Sequence, residues 1–120
     1  MLVKYKKSCK KIAMGLLSLM PKEKNIKTLL QTMQLYEENP EWQLYFWKQG
    51  EAFVGVAGIE LAENHFIIHH LAVNPSYQRE GIGHAMIEQI QQMMPSREIA
   101  AAAGTAAFLD KCADQKAALI

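Results

Sequence analysis

The sequence predicts a mixed α/β (α+β) domain in which a mostly antiparallel central sheet is flanked by helices. Three observations carry this. Strand-like runs follow one another between residues 41 and 73, separated by short turns. Helical periodicity lies before them, at residues 12–36, and after them, at 82–94. The later helix is followed by one more strand-like run, which makes a β-α-β unit with parallel strands. A chain of 120 residues suits one domain, residues 1–120.

Met1 to Lys6 alternates well enough for an opening strand. Ser8 is placed to cap a helix in which Ile12, Ala13, Leu16, Leu17 and Met20 share one face, and Pro21 ends it. Asn25 caps a second helix, with Ile26, Leu29, Leu30, Met33 and Tyr36 on one stripe, and Asn39-Pro40 closes it. Glu41 to Lys48 is rich in aromatic residues, and the alternation assigns Trp42, Tyr45, Phe46 and Trp47 to sheet packing. Gln49-Gly50-Glu51 is a turn, Ala52 to Leu61 a strand, Ala62-Glu63-Asn64 a second turn, and His65 to Val73 the next strand. Two short turns make an antiparallel meander. After Asn74-Pro75 the period changes, and Ile82, Met86, Ile90 and Met93 recur at helical spacing until Pro95. Met86, Met93 and Met94 read as core. Arg97 to Ala102 reads as one more strand and Thr105 to Ala113 as one more helix.

Composition narrows the function classes. Half of the chain is apolar, enough for a core without staples. A net charge of +1 lacks the strongly basic footprint of a nucleic-acid-binding domain. Cys9 and Cys112 form no CxxC and have no histidine at zinc-finger spacing, so neither a disulfide framework nor a metal is expected. Two separate thiols fit a reducing, cytoplasmic setting. Lysines 4, 6, 7, 10 and 11 before the apolar run Ile12–Met20 imitate a signal peptide, but Pro21-Lys22-Glu23 stands where a small-residue cleavage site belongs. The run is also far short of the roughly 18 apolar residues that span a bilayer. No membrane partner is expected.

The informative stretch runs from His70 to Ala85: a strand that stops at a proline, a polar loop, then glycines that open a helix. A helix N-terminus offers about four unpaired N–H groups and a partial positive charge. Glycines let a phosphate approach them. Arg79 adds a fixed positive charge at the rim. A Rossmann fingerprint fits worse, because Met86 is large and Asn74 to Glu80 separate the strand from Gly81. A P-loop lacks its Gly-Lys-Ser/Thr. On spacing alone, the same glycines are equally compatible with a helix start that holds no ligand.

Gln78-x-x-Gly81-x-Gly83 matches the Gln/Arg-x-x-Gly-x-Gly/Ala signature of the GNAT family of N-acetyltransferases, and Leu71 to Tyr77 resembles that family's fourth strand and following loop. The element order is similar to the family's first three-quarters. The resemblance implies a GNAT fold, C-terminally shortened, with acetyl-CoA as co-substrate. Strand backbone at Leu71, Ala72 and Val73 would pair with the pantetheine arm. Gln78, Arg79, Glu80, Gly81, Ile82, Gly83 and His84 would hold the diphosphate. Leu109 stands where the family often has a tyrosine acid, and residues 114–120 are too few for its last two strands, so either a homodimer that covers the sheet edge or a shallow acceptor site is expected. The whole chain, including Lys4–Lys7 and Ile12–Ser18, further resembles a small bacterial member encoded among riboflavin-biosynthesis genes, which implies a setting and not a substrate.

Acyl transfer to an amine needs a group that takes a proton, because a lysine-like amine has a pKa of about 10.4. His69 and His70 are the first candidates, and Glu60 lies close by in sequence, with Glu63 and His65. Adjacent residues on a regular strand face opposite sides, so one histidine should face the acceptor cleft and the other the packed helix, with His69 preferred for the cleft. Cys112 is a candidate proton donor to the leaving thiolate, and a buried structural cysteine is the plainer reading. The expected function is acetyl transfer from acetyl-CoA to an amine of unknown identity. The alternatives are a catalytically weak acetyl-CoA-binding regulatory module and a partner-binding domain that keeps only the loop.

Overall fold

The computed structural model describes residues 1–101. The expected helix at 105–113, with Leu109 and Cys112, lies outside the described residues. The chain forms β1 (Leu2–Lys4), α1 (Lys10–Leu17), α2 (Ile26–Glu38), β2 (Trp42–Gln49), β3 (Ala52–Leu61), β4 (His65–Val73), α3 (Ile82–Met93) and β5 (Glu98–Ala101). The five strands form one sheet in sequence order. Pairs β1–β2, β2–β3 and β3–β4 are antiparallel, and β4–β5 is parallel across α3. The meander and the β-α-β unit are therefore as the spacing predicts.

Local chemistry explains most boundaries. Gly50, at φ 60°, supplies the left-handed residue that the tight β2–β3 turn needs. The Asn25 carboxamide oxygen accepts the Lys27 N–H at 2.8 Å and caps α2. Ser8 does not cap α1. A 3₁₀ turn over Lys7–Cys9 leads in instead, and Cys9 occupies the cap position without a side-chain bond to the helix N-terminus.

Two apolar clusters sandwich the sheet. Ala13, Leu17, Leu29 and Met33 of the first two helices pack on Leu44, Phe46 and Val56. On the other face, Ile82, Met86 and Ile90 of α3 pack on Val54, Ile59 and Phe66. Each side chain buried in this way contributes about 1.5–3 kcal/mol. Four residues assigned to these stripes are in fact exposed: Ile12, Ile26, Leu30 and Met93. Met94 is only partly buried, against the α3 cluster.

Two irregularities shape β3 and β4. The β2–β3 register shifts after Trp47, and the β3–β4 register shifts between Gly58 and Ile59. In the second, Gly58 faces His70 and Ile59 faces Ile68, so His69 is the extra residue of a β-bulge. The bulge reverses one expectation. The inserted residue breaks the two-residue alternation: His70 meets Tyr36 of α2, and His69 stacks on Trp42, which itself touches Tyr36, so the two histidines share one side.

Candidate functional site

The loop after β4 is built by its own backbone. The Asn74 N–H donates to the Val54 carbonyl at 2.8 Å, and its side-chain oxygen accepts the Ser76 N–H at 2.9 Å. A 3₁₀ turn over Pro75–Tyr77 follows. Arg79 (φ 71°) and Gly81 (φ 78°) then occupy the left-handed region, which costs a non-glycine residue such as Arg79 about 1–2 kcal/mol. Strain of this kind marks a loop held in one shape. Gly81 precedes α3 without any side-chain cap, and the first turn of α3 carries no acidic residue. The positive end of the helix dipole is left to an outside anion.

This helix start opens into a groove of about 680 Å³. One wall is Leu71, Ala72 and Val73 of β4; its end is Gln78, Arg79, Gly81, Ile82, Gly83 and His84. Of the residues expected to bind the co-substrate, only Glu80 is absent from the lining; it is exposed. Sequence reasoning missed the opposite wall, Leu19, Met20 and Pro21, and also Tyr77. β5 pairs with β4 from His65 to Ile68, and no described strand pairs with Leu71–Val73 on that side. The Leu71 N–H donates to the Met20 sulfur at 3.4 Å. A thioether is a weak acceptor, so a carbonyl oxygen in the groove would displace it readily. An apolar strand edge beside a cationic helix start fits both the amide-bearing arm and the diphosphate of coenzyme A.

A second depression, about 750 Å³, lies where α2 ends and is lined by Gln34, Glu38 and Glu41 among others. It sits at the negative end of a helix dipole beside carboxylates, which repels a diphosphate. The groove at α3 is the better site despite its slightly smaller volume.

Beside the strand edge, the bulge assembles the polar groups. His69 Nε2 lies 2.8 Å from Glu60 Oε1, and the imidazole stacks on Trp42 with centroids 4.3 Å apart and planes at 21°. An ionised carboxylate can only accept, so Nε2 carries the proton and Nδ1 presents its lone pair. Nδ1 has no partner among the described residues. His70 is the opposite case. Its Nδ1 lies 2.6 Å from the Tyr36 hydroxyl and its Nε2 lies 2.9 Å from Glu23 Oε1. Burial first, then the Glu23 and Glu60 charges, push the Tyr36 pKa far above the ordinary phenol value, so Tyr36 is the donor to Nδ1. Both ring nitrogens of His70 are engaged, which removes it as a base. Glu63 and His65 are exposed and make no side-chain bond among the described residues. Among those residues no group of histidine, cysteine and carboxylate ligands can hold a metal. No helix there is long and apolar enough to cross a membrane.

The family model described as the acetyltransferase (GNAT) family matches residues 14–117. This chain belongs to the GNAT family of acetyltransferases. An uncharacterised N-acetyltransferase from the lysA 3′ region of Bacillus methanolicus is 44% identical over 113 residues, covering 93% of this chain and 94% of that protein. The fold matches an aminoglycoside N-acetyltransferase solved in complex with CoA, at TM-score 0.76 and 12% identity, over 97% of this chain and 84% of that one. It also matches a GNAT family acetyltransferase from Staphylococcus aureus, at TM-score 0.68 and 11% identity, over 87% and 86% of the two chains. As a GNAT member the chain is an N-acetyltransferase with acetyl-CoA as co-substrate.

Proposed function

We propose that this GNAT protein transfers the acetyl group of acetyl-CoA to a primary amine, with His69 as the proton acceptor. The observation that carries the reading is the His69–Glu60 pair on β4, the strand whose Leu71–Val73 segment lines the groove. The amine nitrogen bonds to the acetyl carbon and the carbon–sulfur bond breaks. An ammonium substrate first gives one proton to His69, which passes it to solvent; as the amide forms, the nitrogen gives a second proton to His69, which returns it through water to the CoA thiolate. Glu60 holds the imidazole in one tautomer and stabilises its protonated form.

Diphosphate binding falls to the backbone of Gln78–His84, and the pantetheine arm to Leu71–Val73. A setting in riboflavin metabolism belongs to the same reading; its support is the resemblance of residues 4–7 and 12–18. So does a homodimer, since β5 is the edge of the described sheet and an uncovered edge invites pairing. A cytoplasmic location rests on the separate thiols of Cys9 and Cys112.

Two measurements test the function. Acetyl-CoA at 100 times its Kd should stabilise the protein by about 2.7 kcal/mol. CoA release should then rise above hydrolysis with at least one member of an amine panel that includes amino-bearing flavin precursors. Stabilisation without turnover would instead identify a regulatory acetyl-CoA-binding module. No stabilisation at all would leave only a structural domain.

A further inference from the structure

A second polar cluster lies behind the proposed base. Glu23 and Thr32 are the buried polar residues of the described core. The Thr32 hydroxyl lies 2.9 and 3.0 Å from the two Glu23 carboxylate oxygens. Glu23 also accepts from His70 Nε2, and Tyr36 donates to His70 Nδ1. The side chains of His70 and Glu23 are only 11% and 5% exposed, so water has little part in this chain. Gly58, the strand partner of His70, is shaped for it: a Cβ at Gly58 would occupy the place of the Tyr36 hydroxyl.

The chain continues to the base through rings. Tyr36 meets Trp42 edge-on, with centroids 5.5 Å apart at 69°, and Trp42 is the plate on which His69 stacks. Leucine-sized side chains would fill the same volume without the cost of burying polar groups. A buried polar chain is satisfied in one geometry only, so it fixes orientation where apolar packing tolerates several.

We infer that Glu23, His70 and Tyr36 form a buried lock that holds the β4 bulge and the Trp42 ring, and so aims His69 at the acceptor amine. These are positioning residues, and the inference rests on the reading of His69 as the base. Removing one contact lets the bulge relax, and the Glu23, Tyr36 and His70 side chains themselves do not line the CoA groove. A misplacement of about 1 Å at a reacting group costs about 100-fold in rate.

The test uses Tyr36→Phe, which keeps the ring and deletes the hydroxyl, and Glu23→Leu, with Glu23→Gln as the conservative variant. Gly58→Ala is the converse change, since it keeps every polar group and displaces the Tyr36 hydroxyl. Tyr36→Phe, Glu23→Leu and Gly58→Ala should lower kcat by about 10- to 100-fold, with acetyl-CoA affinity at its wild-type value. Glu23→Gln should recover most of the rate, because its amide oxygen still accepts from His70. The second readout is the His69 ring resonances by NMR, shifted in the parent by the stacked Trp42. They should move toward unstacked values in the three damaging variants. Folded Tyr36→Phe and Glu23→Leu proteins with parental His69 resonances would overturn the lock, whatever their rates. If His69→Ala turns over normally, the base reading alone has failed, and the resonances still decide the lock.

Discussion

His69→Ala should lower kcat by about 10²–10⁴ while acetyl-CoA affinity stays at its parental value. The amine arrives protonated at neutral pH and cannot attack until it loses a proton. His69 is the histidine of the pair with a nitrogen left over, because Glu60 takes Nε2 and no described residue takes Nδ1. Its side chain is 23% exposed, against 11% for His70, so it alone is within reach of a substrate. His69 is not among the residues that line the groove, so its truncation should leave binding intact. Steady-state kinetics with calorimetry checks both halves. Parental kcat in the folded variant would take His69 out of the mechanism and leave Glu60 or water.

Gly83→Val should abolish acetyl-CoA binding in a protein that still folds. Gly83 is buried in the first turn of α3 and lines the groove. The expected block is steric: a diphosphate must come close to the backbone N–H groups of this turn, and a branched side chain on a residue that lines the groove competes for that room. Gly81→Val is a less clean test, because φ is 78° and a β-branched residue is strained there whatever the ligand does. Arg79→Ala should cost less, about 1–3 kcal/mol of binding, since only one charge-assisted contact is lost. Calorimetry on variants with parental unfolding temperatures reads the difference. Parental affinity in Gly83→Val would mean that the diphosphate lies elsewhere.

How much of this was legible in the sequence follows from how local each feature is. The Leu71–His84 groove wall was legible because its chemistry is backbone chemistry, fixed by a proline, two glycines and the start of one helix. The facing wall, Leu19–Pro21, was not, because nothing in its composition says which loop it meets. The histidine geometry failed for a similar reason. Alternation holds on a regular strand, but the bulge arises from the register of β4 on β3, between Gly58 and Ile59. A glycine inside a strand does signal a bulge or a close approach, and Gly58 was that signal. The Glu23–Thr32–Tyr36–His70 cluster joins α2, the turn before it and β4, so no motif spacing announces it. Trp42 read as sheet packing from its alternation; its stacking partner became visible only with the bulge.

The most direct measurement of the central claim is the amide spectrum of the unmodified protein titrated with coenzyme A. The account predicts that the largest shifts fall on the N–H groups of Gly81, Ile82, Gly83 and His84, with a second set at Leu71 and Val73 as the arm replaces the Met20 sulfur. Shifts confined to Gln34, Glu38 and Glu41 at the end of α2, with the Gly81–His84 amides unmoved, would contradict it.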